Sequence, residues 1–157
     1  MGSTDCEIRR ALARDADAVS RVIIGALRET NTKDYTADII ARVERSFSPD
    51  AVAELIDRRD VFVAVRSDGI VWTASLDRQS VRTMFVAPDL HGRGIGRALI
   101  QTIESLARRR KIAVLQVPAT ITAAAFYGKL GFQPVREEFH ADERTIIMEK
   151  VLTPAGE

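Results

Sequence analysis

The sequence predicts an α+β domain in which helices interrupt a mostly antiparallel sheet. Two observations carry this. The apolar period switches repeatedly between helical spacing and continuous β-prone runs along the chain. The resulting order is strand, two or three helices, three strands, helix, strand, helix, two strands. The three central strands are joined by short turns and read as an antiparallel meander. At 157 residues the chain is one domain's worth, so residues 1–157 are expected to form a single domain with its core over about 7–151.

The elements follow in order. Glu7 to Ala11 reads as a first strand. Asp15 then offers an N-cap, with Val19, Val22, Ile23, Ala26 and Leu27 at helical spacing up to Thr30. Asn31 to Tyr35 is a polar loop, and Thr36 caps a second helix with Ile39, Ile40, Val43 and Phe47 on its buried face. Ser48-Pro49 is an N-cap followed by proline at the first helical position, which starts a third helix through Val52, Leu55 and Ile56. Val61 to Val65, Ile70 to Leu76 and Val81 to Val86 are strand runs. A loop from Ala87 to Gly94 leads to a long helix carrying Ile95, Leu99, Ile103 and Leu106 on one face. Ala113 to Val117 is a strand, and Ile121 to Leu130 a helix that Gly131 is placed to stop. Gln133 to Phe139 and Thr145 to Val151 pair as a hairpin around His140 to Glu143.

Composition excludes several function classes. The chain carries 23 Lys+Arg against 22 Asp+Glu, so no global positive field draws nucleic acid. Arg108 to Lys111 at a helix end complements the negative end of the helix dipole. Cys6 is the only cysteine, which excludes an internal disulfide and a cysteine-based zinc site; no metal is expected. No apolar run approaches the roughly 20 residues that span a bilayer, and Met1 to Arg10 has no hydrophobic signal core. A cytoplasmic protein without membrane partners is expected.

The densest chemical signal is His91-Gly92-Arg93-Gly94-Ile95-Gly96, between a strand and the long helix. The first N–H groups of a helix lack internal partners, and that end of the dipole is positive, so the junction suits an anion. Arg93 and Arg97 add charge. A dinucleotide fingerprint needs a third glycine where Arg97 or Leu99 stands, and no Gly-Lys-Ser/Thr ends the loop as a Walker motif requires.

The run Arg82 to Leu99 resembles the acetyl-CoA-binding motif of the GNAT superfamily of N-acetyltransferases, Gln/Arg-x-x-Gly-x-Gly/Ala after a strand ending in an apolar-x-Pro turn. Thr122-Ala123-Ala124-Ala125-Phe126-Tyr127-Gly128-Lys129-Leu130-Gly131-Phe132 is similar to the second motif of that family. The element order also matches from Glu7 to Val151. The resemblance implies a mixed, mostly antiparallel central sheet of about seven strands, splayed in the middle with helices on both faces. The splay would lie between Val81–Val86 and Ala113–Val117, and the pantetheine arm of acetyl-CoA would enter it. Backbone groups of Phe85 and Val86 would bond the arm's amides, and N–H groups of Arg93, Gly94, Ile95, Gly96 and Arg97 would hold the pyrophosphate. His91 stands where the family has Gln or Arg and would contact a phosphate or remain a solvated loop residue. Thr120 stands where Asn often contacts the cofactor, and one hydroxyl replaces part of that role at most.

For catalysis, the resemblance implies direct attack of a primary amine of a small molecule or peptide on the thioester, in a ternary complex. Tyr127 would stabilise or protonate the departing thiolate; the alternative is a core aromatic. A backbone N–H at Phe85 would hold the oxyanion. Many members place Glu where Thr83 stands here, which leaves deprotonation open to water or to another residue among Glu29, Asp34, Glu138 and His140. His140 has the most suitable intrinsic pKa, and it is equally suited to a solvated turn. Tyr35, Trp72 and Phe139 are candidates for the acceptor wall, with Trp72 the most core-like. Thr83 and Thr120 keep open a second reading, a non-catalytic CoA-binding regulatory module on the same fold. Many members pair, so a homodimer is within what the resemblance implies.

Overall fold

In the computed structural model, residues 7–30, 37–66, 69–86, 94–140 and 143–152 are described. The elements are β1 (Glu7–Arg10), α1 (Ala16–Thr30), α2 (Ala37–Ser46), α3 (Pro49–Arg58), β2 (Asp60–Arg66), β3 (Gly69–Asp77), β4 (Ser80–Val86), α4 (Ile95–Arg109), β5 (Val114–Ala119), α5 (Ile121–Lys129), β6 (Gln133–His140) and β7 (Glu143–Val151). Among the described residues seven strands form one sheet in the order β1-β2-β3-β4-β5-β7-β6. β1 is antiparallel to β2, β5 to β7 and β6 to β7, whereas β4 and β5 are parallel. This is the mostly antiparallel α+β sheet that the periodicity predicts, in the mixed, seven-stranded form that the resemblance implies.

Local chemistry explains most boundaries. Ser48 caps α3, its Oγ accepting the Ala51 N–H at 3.3 Å, with Pro49 at the first helical position. Gly131 ends the turn after α5 with φ +100, and the Phe132 N–H reaches back to the Tyr127 carbonyl at 3.1 Å. Asp15 departs from the expectation that it caps the first helix. A 3-10 turn over Ala13–Asp15 precedes α1, and the Asp15 carboxylate turns back to accept the Leu12 N–H at 2.6 Å. It also pairs with the Arg9 guanidinium at 2.8 Å. Asp15 is buried, and a charged donor at that distance outcompetes the N–H groups of its own helix. Thr36, the expected cap of α2, lies outside the described residues.

The chain divides into two compact units, Met1–Ser75 with Thr83–Ile100, and Leu76–Arg82 with Gln101–Glu157. In the first, α1 packs against α3 and the core holds Ala16, Val19, Ile23, Leu27, Val52 and Val63, with Phe47 and Phe85 packed on it. Val61, Phe62, Val63 and Ala64 of β2 are buried in succession. Side chains alternate across a strand, so this run is covered on both faces. Trp72 is core, as the sequence favours, and its buried indole N–H has no hydrogen-bond partner among the described residues. In the second unit, α5 packs against β7 and β5. There the buried Glu104 carboxylate is clamped by Lys150 at 2.9 Å and Arg108 at 3.4 Å. Arg108 is thus spoken for within its own helix end. Among the described residues, no helix is long and apolar enough to cross a membrane.

Candidate active site

The first unit holds a strained strand and a helix start. β4 leaves the second unit at Arg82 and enters the first at Thr83, where φ is +52. A β-branched residue in the left-handed region is a true outlier, costing about 1–2 kcal/mol. It interrupts the pleat of β4, the strand beside which the resemblance implies the splay. The Thr83 Oγ1 accepts from Arg59 Nη1 at 3.2 Å, and Phe85, two residues on, meets Phe47 edge to face at 6.0 Å. Thr83 also lines a small cavity of about 10 Å³ with Val19, Ile23, Val52 and Leu55, at the lower limit of room for one water.

α4 opens on Gly94, whose φ of +77 suits glycine and disfavours any side chain. Its carbonyl accepts the Ala98 N–H at 3.2 Å, the first bond of the helix. No acidic residue occupies the first turn of α4. Ile95 is buried, whereas Gly94 and Arg97 are exposed. Orphan N–H groups, a positive dipole end and an exposed guanidinium therefore coincide, with no acidic residue in the helix's own first turn.

The second unit holds Tyr127. It is buried on α5, edge to face with Phe126 at 5.1 Å and with Phe132 at 5.7 Å. Burial pushes its phenol well above the usual tyrosine value. The side chain is therefore a protonated donor across the working pH range. Thr120 caps α5, its Oγ1 accepting the Ala123 N–H at 3.1 Å, so this hydroxyl has its proton left to give. In the same unit β5 carries Pro118, two residues beyond the parallel pairing of Ser80 with Gln116. Proline has no N–H to give a ladder, so β5 is one donor short beyond that pairing.

The expected site residues thus distribute in a defined way. Phe85 and Gly94 to Arg97 lie in the first unit, Thr120 and Tyr127 in the second. His91 and Arg93 lie outside the described residues, as do Asp34 and Tyr35. Val86 ends β4, Glu29 lies on α1 and His140 ends β6. Glu138 is paired with Arg136 at 3.0 Å on β6. Phe139 is 69% exposed, whereas Trp72 is only 7% exposed and belongs to the core. What sequence reading missed is the contact that Arg59 and Phe47 make with β4. Each reaches β4 from a distant part of the chain, a contact that no local spacing announces.

A family model described as an acetyltransferase (GNAT) domain matches residues 31–152. The chain belongs to the GNAT acetyltransferase family. The fold of this GNAT chain is shared by solved structures of low sequence identity. A GCN5-related N-acetyltransferase from Rhodopseudomonas palustris matches with a TM-score of 0.85 at 23% identity, over 94% of this chain and 96% of that one. The PaiA N-acetyltransferase from Thermoplasma acidophilum, solved in complex with coenzyme A, matches at 0.79 and 19% identity, over 93% and 98%. The ribosomal-protein-S18-alanine N-acetyltransferase from Escherichia coli matches at 0.70 and 21% identity, over 97% of each chain.

Proposed function

We propose that this chain is an acetyl-CoA-dependent N-acetyltransferase that acetylates a primary amine of a small molecule or peptide by direct attack in a ternary complex. The observation that carries the reading is the start of α4, where a glycine at φ +77 opens a helix whose first turn holds no carboxylate. That cradle fits a pyrophosphate, and the family membership and the coenzyme A complex of the Thermoplasma acidophilum protein support the same cofactor. Backbone N–H groups of Arg93, Gly94, Ile95, Gly96 and Arg97 would hold the pyrophosphate, with His91 beside it. Phe85 and Val86 would bond the pantetheine amides, and Thr120 would donate its hydroxyl proton.

Bound acetyl-CoA supplies an activated thioester. The chain's own groups then have three tasks. The Phe85 N–H donates a hydrogen bond to the carbonyl oxygen as negative charge builds there, a contact worth roughly 3 kcal/mol in acyl transfer. Tyr127 donates a hydrogen bond to the departing sulfur. Its raised pKa makes full proton transfer to a thiolate, with a reference value near 8.5, more uphill than for an ordinary tyrosine. Stabilisation by a hydrogen bond is therefore the role we assign it. His140 takes the amine proton.

A non-catalytic CoA-binding module is the second reading. It is favoured by Thr83, whose hydroxyl is tied to Arg59 where a carboxylate base is common in the family. Calorimetric titration of coenzyme A, paired with an acetylation assay over an amine panel, separates the two. Gly94→Ala is expected to weaken coenzyme A binding about tenfold, the effect of placing a side chain at a left-handed position. Unchanged affinity in that variant would remove the helix start from the site. Binding without transfer to any amine would favour the module.

A further inference from the structure

We propose that Arg59 is a positioning residue for acyl transfer: its guanidinium clasps the left-handed turn of β4 at Thr83 and so sets the Phe85 N–H. The inference rests on the oxyanion role given to Phe85 above. A threonine at φ +52 persists only where its surroundings hold it there. Two contacts hold this one. Arg59 Nη1 donates to Thr83 Oγ1 at 3.2 Å, across 24 residues of chain, and Phe47 packs on Phe85. Both anchors are themselves fixed. Arg59 closes α3, its N–H bonded to the Leu55 carbonyl at 2.8 Å, at the junction with β2. Phe47 is tied through its carbonyl to the buried Ser20 Oγ at 2.6 Å on α1.

The geometry links this clasp to chemistry. Successive peptide groups of a strand point to alternate sides, so the dihedrals of Thr83 set where the N–H two residues later points. A relaxed turn returns Thr83 to the β region and re-aims the Phe85 N–H, and a misplaced donor costs rate rather than binding. Arg59 is chosen over lysine by shape, because a planar fork reaches a hydroxyl from the end of a helix while keeping its other donors for neighbours.

The test is a double-mutant cycle of Arg59→Ala and Thr83→Val, with Arg59→Lys as the conservative variant. Turnover is read against the KM for acetyl-CoA, and the Phe85 amide resonance is read in the protein alone. Each single variant is expected to lower kcat by about tenfold to a hundredfold with little change in KM. The double variant is expected to be no slower than the worse single, because both remove one contact. Arg59→Lys should recover part of the rate, and the Phe85 amide should shift in both single variants. Thr83→Val keeps the volume and branching of threonine, so it reports on the contact even where Arg59→Ala fails to fold. Wild-type kcat and an unmoved Phe85 amide in Thr83→Val and Arg59→Lys would overturn the clasp. Additive losses in the double variant would overturn it too. If the wild type acetylates no amine while the Phe85 amide still shifts, the acyl-transfer reading fails, and the catalytic role of Arg59 with it.

Discussion

Tyr127 shows how one side chain is read from two directions. Its place in the second motif marks it as a partner for sulfur, and its burial among Phe126 and Phe132 marks it as core. The two are compatible, because burial keeps the phenol protonated and leaves its O–H as a donor. Tyr127→Phe keeps the ring packing and deletes that donor. Turnover should fall roughly a hundredfold while coenzyme A affinity stays near wild type. Unchanged turnover, measured where chemistry limits the rate, would return Tyr127 to a packing role. His140 answers to a different probe. A base must be deprotonated to work, so activity should rise with pH as the imidazole loses its proton. His140→Ala should abolish that ascending limb, and a limb that survives unaltered belongs to the acceptor amine or another group. The role proposed for Tyr127 comes from motif resemblance alone, and that proposed for His140 from the intrinsic chemistry of an imidazole at a hairpin tip. Spacing places Tyr127 on a helix face but does not say what the hydroxyl meets.

At the scale of elements, local chemistry was legible and long-range chemistry was not. Ser48-Pro49 predicts a helix start, and the Ser48 cap is present. Replacing Ser48 with Ala should cost about 1 kcal/mol, seen as a lowered urea midpoint with an unchanged slope. Gly131 predicts a helix stop and supplies it with φ +100. The start of α4 was readable for the same reason, since glycine and helix termini act over a few residues. Asp15 was misread as a cap because its better partner, Arg9, sits across a turn from the helix it precedes. The left-handed turn at Thr83 had no sequence signature at all. Threonine is a poor residue for that conformation, and the side chains that hold it come from α3 and from the end of α2.

At the scale of the whole molecule, the α+β class and a mostly antiparallel sheet followed from the alternation of periods, because each amphipathic element must find cover. The mixed, seven-stranded form came from the family resemblance, and the strand order only from the structure. The sum of charges says little about this chain, and single buried pairs say more. Arg9 holds the Asp15 carboxyl below the usual carboxylate range, so this pair stabilises the fold above about pH 4 and is lost as pH falls through the lowered value. Asp15→Asn removes the contribution at every pH. The gap in melting temperature between wild type and variant should be widest near neutrality and narrow below about pH 4. A gap that is constant across that range would mean that the Asp15 charge contributes nothing. The function itself is tested most directly by the release of free thiol from acetyl-CoA, with and without a panel of primary amines. Acetyl transfer predicts that at least one amine raises the release well above the hydrolytic background and appears acetylated in the product mass. Coenzyme A binding with no amine-dependent release would contradict it.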